Sequence, residues 1–251
     1  MALLMKDKVA VITGAASRRG IGFATARRFA EEGATVAILD LDAQAAQAAA
    51  AEIGPQHRGW ACDVRDAERC KAVIQEIISA YGHIDALVNN AGVSQAHRIM
   101  DSTPQDYDIV LDVSLRGAYH MSRAVIPHMR GRRTGTIVSM GSVAAQRGGG
   151  ILGGPHYSAA KGAVQSLAKA MARELAPDGI RSNAVAPGLV DTELLVGKID
   201  GAGMQKVAES TPMGRLAQPL DIANCILFLS SDLSSYVTGV VLDINGGLHI
   251  H

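Results

Sequence analysis

Short apolar runs rich in β-branched residues alternate with longer helix-forming stretches from one end of this chain to the other, and nothing else constrains its fold as much. Val9-Ala-Val-Ile-Thr13 has the length and composition of a buried strand, and residues 21–32 follow as a helix that stops at Gly33. The unit recurs, with strands expected over 35–39, 57–62, 85–89, 136–140, 181–185 and 240–244. Helices are expected over 42–54, 66–81, 104–129, 157–175 and 220–230. Asp42 and Asp66 stand where a carboxylate would cap the free N–H groups of a first helical turn. Strands separated by helices pair in parallel through right-handed crossovers. The pattern predicts an α/β fold: a single doubly wound domain whose parallel sheet is covered by helices on both faces. No linker or low-complexity stretch divides the 251 residues, and the alanine tract 45–51 fits a helix better than disorder.

Composition removes several classes of function. With 48% hydrophobic residues the chain can bury a large core, and its zero formal charge gives no basic surface for nucleic acid or anionic lipid. Arg130, Arg132 and Arg133 flank Gly131, a grouping expected on a solvated loop. Cys62, Cys70 and Cys225 form no Cys-x-x-Cys, and the eight histidines show no metal-ligand spacing. The N-terminus turns charged too early for a signal peptide, and no apolar run approaches the ~20 residues that span a bilayer. The expectation is a soluble cytoplasmic protein with no metal, nucleic-acid or membrane partner.

Between the first strand and the first helix lies Thr13-Gly14-Ala-Ala-Ser17-Arg18-Arg19-Gly20-Ile21-Gly22. Glycines there let the backbone turn sharply and approach a pyrophosphate, whose charge the N–H groups of the helix N-terminus would meet. Asp40 ends the second strand, 18 residues after Gly22, where a carboxylate would bind ribose hydroxyls and repel a 2′-phosphate. NAD is expected on that ground. NADP stays open, because a guanidinium at Arg18 or Arg19 could accept the phosphate.

Tyr157 and Lys161, four residues apart at the start of a long helical stretch, share one helix face. A free phenol ionises near pH 10, and a fixed positive charge beside it favours the phenolate. The pair has the makings of a general acid/base with its own activator. Taken alone, the spacing fits an exposed helix pair equally well.

Read together, these residues resemble the short-chain dehydrogenase/reductase family in its single-domain form, with a Rossmann fold. The likeness extends to Asp63-Val64, Asn89-Asn90-Ala91-Gly92, Ser142, Tyr157-x-x-x-Lys161 and Pro187-Gly188-Leu-Val-Asp-Thr192, each beyond a strand end. The resemblance implies an NAD(P)-dependent oxidoreductase acting on CH–OH groups of a small molecule. It implies that Gly14, Ser17, Gly20, Ile21, Gly22 and Asp40 contact the cofactor at one end. Asp63 and Val64 would hold the adenine, and Asn90 and Gly92 the adenosine side. Pro187, Gly188, Val190 and Thr192 would cradle the nicotinamide. Tyr157 would exchange the proton, Ser142 would fix the substrate oxygen, and Lys161 would hold the ribose and lower the tyrosine pKa. A homotetramer is also implied, with the last strand and residues 246–251 near a subunit contact.

Three departures stand out. Five residues separate Gly14 from Gly20, more than the family's usual turn has. Ser114 stands where the family commonly places an asparagine that helps hold a proton-relaying water, and the resemblance implies a catalytic role for its hydroxyl there. The 15-residue interval from Ser142 to Tyr157 is long and rich in glycine. Gln95, Gln146 and His156, with His97 and Arg147 nearby, suggest substrate contacts and a polar substrate such as a polyol, sugar or hydroxy acid. An NADPH-linked 3-oxoacyl reductase is the enzymatic alternative, and a nucleotide-binding homologue without turnover is the alternative of another class. Residues 193–215, spaced by glycines, read as a lid over the substrate.

Overall fold

A computed structural model describes residues 3–251. The elements run β1 (Val9–Thr13), α1 (Ile21–Glu31), β2 (Thr35–Asp40), α2 (Ala43–Ile53), β3 (Arg58–Ala61), α3 (Ala67–Tyr81) and β4 (Ala86–Asn89). There follow α4 (Pro104–Leu111), α5 (Gly117–Arg132), β5 (Gly135–Met140), α6 (Ala144–Arg147), α7 (Pro155–Leu175) and β6 (Ile180–Pro187). The last elements are α8 (Gly201–Ser210), α9 (Pro219–Ser230) and β7 (Val241–Ile244).

All seven strands pair in parallel, in the order β3-β2-β1-β4-β5-β6-β7. This is the doubly wound Rossmann arrangement. Successive strand residues point to opposite faces, and both faces are buried. Ala10 and Ile12 enter one core with Phe23, Phe29, Ile222 and Ile226 of α1 and α9. Val9 and Val11 enter the other with Ile74, Ile77, Met121 and Leu175 of α3, α5 and α7. The alanines of α2 have a steric purpose. A Cβ on Gly59 of β3 would lie 2.2 Å from the Ala46 carbonyl carbon, so only small side chains let this helix lie so close to the sheet.

The direction of the crossovers reverses between β1 and β4, and their C-terminal ends open a crevice where α/β sheets place ligands. Thr13 stitches its rim, with Oγ1 accepting from the N–H groups of Asn90 and Ala91 at 3.0 Å each.

The structure corrects the helix expected over 104–129. Asp112–Arg116 forms a π-helical turn between α4 and α5, closed by the Gly117 N–H donating to the Asp112 carbonyl. Such turns widen a helix by one residue and re-aim its side chains, a change that apolar periodicity barely registers. Immediately after it, a Cβ on Gly117 would strike the Val64 side chain at 2.5 Å, which binds α5 tightly to the β3–α3 loop. Helix α7 begins at Pro155 rather than at residue 157, as suits a proline whose missing N–H is unneeded in a first turn.

Candidate active site

Gly14 adopts φ +62°, and a Cβ there would meet the Ala91 Cα at 2.9 Å. A Cβ on Gly22 would come closer still, 2.6 Å from the Asn90 side-chain amide nitrogen. That amide donates to the carbonyls of Thr13 and Gly14 at 2.9 and 2.8 Å, locking the glycine turn to the β4 loop. The turn ends on Gly20, which caps α1 with no side chain, and the first turn of α1 carries no acidic residue. The N–H groups of this helix end are therefore left for a ligand anion.

The extra residues of the turn are used for tethering. Ser17 Oγ donates to Glu193 Oε2 at 2.5 Å, and Arg19 pairs with Asp191 at 3.2 Å. Arg18 pairs with Glu52 of α2 at 2.5 Å and lies over the Phe23 ring. The Asp40 carboxylate accepts from the Ala16 N–H at 2.9 Å and from the Leu41 N–H at 2.8 Å, which sets it at the floor beside the turn. Asp63 is held by the Arg65 guanidinium, which keeps its carboxyl below the usual range.

A cavity of about 360 Å³ opens at the C-terminal end of β5 and β6. Ile21, Ser142, Tyr157, Pro187, Gly188, Val190 and Thr192, all singled out in the sequence, line it together. The glycine-rich segment forms its wall. A Cβ on Gly153 would lie 2.3 Å from the Tyr157 ring, so the segment can fold against the phenol only as glycine. Burial pushes the Tyr157 hydroxyl up from its ordinary value, while a hydrogen bond with Ser142 pulls it down. Ser142 Oγ in turn accepts from the Ala144 N–H at 3.1 Å.

Lys161 is almost wholly buried, at 4% exposure, and burial pushes its ammonium down to about 8. Its Nζ donates to the Met140 carbonyl at 2.8 Å and stands 5.8 Å from the centre of the Tyr157 ring. No lowering of the phenol by this ammonium is evident; the two forces resolved on Tyr157 are burial and Ser142. Gly92 leaves room for the lysine, since a Cβ there would sit 3.2 Å from Nζ and 3.5 Å from Ser114 Oγ. The Ser114 hydroxyl is buried without a hydrogen-bond partner. The π turn thus delivers it to the same space as Lys161 and Gly92.

Three residues expected at the substrate turn elsewhere. Gln95 donates to Asp106 at 3.0 Å, Gln146 donates to Asp243 at 2.8 Å, and both His156 ring nitrogens are buried without partners. None of them lines the cavity. His97 pairs with Asp106. In their place the cavity presents Val143, Ile151, Leu152, Leu189, Leu194, Val207 and Leu248, with Arg147 as the one charged residue among its described lining. Apolar residues far apart in sequence carry no signal that they will meet in one wall, which is why the sequence did not disclose them.

Residues 14–249 match the family model described as enoyl-(acyl carrier protein) reductase. The chain belongs to the short-chain dehydrogenase/reductase family. It is 49% identical to an uncharacterized short-chain type dehydrogenase/reductase, y4mP, of Sinorhizobium fredii, over 99% of this chain and 100% of that one. It is 38% identical to the 3-oxoacyl-[acyl-carrier-protein] reductase FabG of Thermotoga maritima, over 98% and 99% of the two. The solved structure of a 3-ketoacyl-(acyl-carrier-protein) reductase from Brucella melitensis, complexed with NADH, superposes with a TM-score of 0.88 at 37% identity, covering 98% of this chain and 100% of that one. As a short-chain dehydrogenase/reductase, this chain is an oxidoreductase acting on CH–OH and carbonyl groups. No helix among the described residues of this family member is long and apolar enough to cross a membrane.

Proposed function

We propose that this enzyme is NAD-dependent and interconverts a ketone and a secondary alcohol carried on an apolar, acyl-like substrate, working most readily as a reductase. The observation that carries the proposal is the cavity itself: Ser142 and Tyr157 line a space whose other walls are mainly aliphatic. This lining favours the 3-oxoacyl type of reaction over the polyol or sugar suggested by Gln95, Gln146 and His156. The names of the relatives from Thermotoga and Brucella point the same way.

A nicotinamide dinucleotide fits the residues present. The glycine cradle would be filled by any Cβ, the N-terminus of α1 is uncapped, and the Ser114 hydroxyl and Lys161 ammonium face the same space. When bound, the nicotinamide would supply the hydride to the substrate carbon, or accept it in the reverse direction. Ser142 would donate to the substrate oxygen and fix it beside Tyr157. A phenol held in its protonated form by burial suits donation, so Tyr157 would hand its proton to that oxygen as negative charge develops. Lys161 would hold the ribose, and Ser114 would help return a proton. Glu193, tethered to Ser17, would anchor a lid formed by residues 193–215.

Asp40 supports NAD over NADP, as does the engagement of both arginines of the turn with Glu52 and Asp191 rather than with open space. A homotetramer in the cytoplasm is proposed by family resemblance, and exposed Tyr107, Tyr119 and Tyr236 are candidates for its contacts.

The deciding experiment compares NADH- and NADPH-linked reduction of 3-oxoacyl thioesters, simple ketones and keto-sugars by wild type and Tyr157→Phe. Wild type should prefer NADH and the acyl ketones. The variant should lose at least about 100-fold in kcat while still binding NADH. Preference for sugars would refute the substrate reading, and an active Tyr157→Phe enzyme would refute the proton assignment.

A further inference from the structure

Beyond β7 the chain turns back on itself through Gly246 and Gly247, at φ +64° and +85°. Asn245 holds this return. Its Oδ1 accepts from the N–H groups of Gly247 and His249 at 3.0 and 3.3 Å, and its Nδ2 donates to the His249 carbonyl at 3.1 Å. The reversal carries His249 and His251 over Asp243, a residue of β7. One ligand atom from each of these three side chains lies within 4.8 Å of the other two. His251 Nε2 is 3.0 Å from Asp243 Oδ2, and the two imidazoles meet edge to face with ring centres 4.9 Å apart.

We propose that Asp243, His249 and His251 form a binding site for a divalent first-row transition metal ion, with Zn²⁺ as the representative ion. Two imidazoles and a carboxylate are a borderline donor set suited to such ions rather than to Mg²⁺ or Ca²⁺. Ligand atoms on a tetrahedral Zn²⁺ stand about 3.3 Å apart, as follows from bonds of about 2.0 Å. The present spacing therefore closes by side-chain rotation, without rebuilding the turn.

Support from outside the three ligands is already built. Gln146 Nε2, on α6, donates to Asp243 Oδ1 at 2.8 Å, leaving Oδ2 toward the histidines. A hydrogen bond of this kind to a ligating carboxylate orients it. Gln146 Oε1 is buried and has no hydrogen-bond partner, which places a further donor atom next to the cluster. Neither histidine spacing nor carboxylate position betrays this site in the sequence, because Asp243 joins only through the glycine reversal.

The site adjoins the catalytic cavity. Leu248, between Asn245 and the ligand His249, lines that cavity, and its carbonyl accepts from Arg147 at 3.2 Å. A bound ion would fix the tail as part of the cavity wall. Its detection requires no turnover, so the proposal stands or falls apart from the reductase reading.

The test is calorimetric titration of ZnCl₂ into full-length, chelator-treated protein, repeated with Asp243→Asn, His251→Ala and Gln146→Leu. Wild type should bind one Zn²⁺ per chain and melt at a higher temperature when loaded. Asp243→Asn and His251→Ala should each weaken binding at least tenfold, and Gln146→Leu by roughly tenfold. Cobalt substituted for zinc should give a visible spectrum that Asp243→Asn alters. His251 is exposed, so its replacement leaves the fold intact even if Asp243→Asn does not fold. Absence of stoichiometric binding overturns the proposal, as does binding that survives Asp243→Asn or His251→Ala undiminished.

Discussion

Replacing Lys161 with methionine should abolish turnover and stabilise the fold, and the two effects share one cause. The ammonium is buried and its pKa drops from 10.5 to about 8 through desolvation. One pH unit of displacement corresponds to about 1.4 kcal/mol, so keeping this charge inside the protein at pH 7 costs about 3 kcal/mol. Methionine fills a similar volume without charge, but it withdraws the hydrogen bond to the Met140 carbonyl, worth about 1 kcal/mol. The net gain is about 2 kcal/mol, which for a chain of this size raises the melting temperature by about 5 °C.

The pH dependence separates this cause from better packing. The folded lysine loses its proton near pH 8 and the unfolded one near 10.5, so in between the unfolded chain binds more protons. Wild-type stability attributable to Lys161 therefore rises with pH across that window. The advantage of Lys161→Met should be full at pH 7, shrink above pH 8, vanish at about pH 9.5 and give way by pH 10.5 to a deficit of about 1 kcal/mol, the lost hydrogen bond. Melting curves of both proteins at equal concentration from pH 7 to 10.5 provide the assay. A variant no more stable than wild type at pH 7, or an advantage that does not change with pH, would refute the burial argument.

Asp40→Ala should reduce discrimination against NADPH at least tenfold in kcat/KM, and unchanged discrimination would mean that Asp40 does not read the ribose. Ser114→Asn should retain or raise turnover, because its amide offers a donor and an acceptor where the hydroxyl now has no partner; a tenfold loss would show that the hydroxyl has a specialised role. In the proposed mechanism alcohol oxidation would draw on the Tyr157 phenolate, which burial disfavours, so its kcat/KM should climb from pH 7 to 10. Ketone reduction should not climb with it over that range, and parallel profiles would refute the assignment.

The elements that place the site were legible because their signals are local. Buried strands, capped helices and glycine turns announce themselves within a dozen residues, and the motifs at strand ends followed in order. Interruptions and side-chain directions were not legible. The helix expected over 104–129 gave no sign of the π turn at Ser114, because one extra residue barely shifts an apolar period. Gln95, Gln146 and His156 are polar residues near the right strands, yet Gln95 and Gln146 bond to Asp106 and Asp243 and His156 is buried away from the cavity.

By itself the sequence determined the doubly wound sheet, the glycine turn before the first helix, and the shared helix face of Tyr157 and Lys161, while Ser142 joined them only through the family resemblance. Backbone propensity, burial period and helix-face spacing act over a few residues and can be read there. Only the tertiary structure decided the environment of those groups. It set a tyrosine raised by burial and a lysine lowered by it, an aliphatic cavity, arginines of the turn committed to Glu52 and Asp191, and Asp243 beneath two histidines. Desolvation and side-chain contact arise between segments as much as 176 residues apart, and no local pattern in the chain encodes which of them will meet.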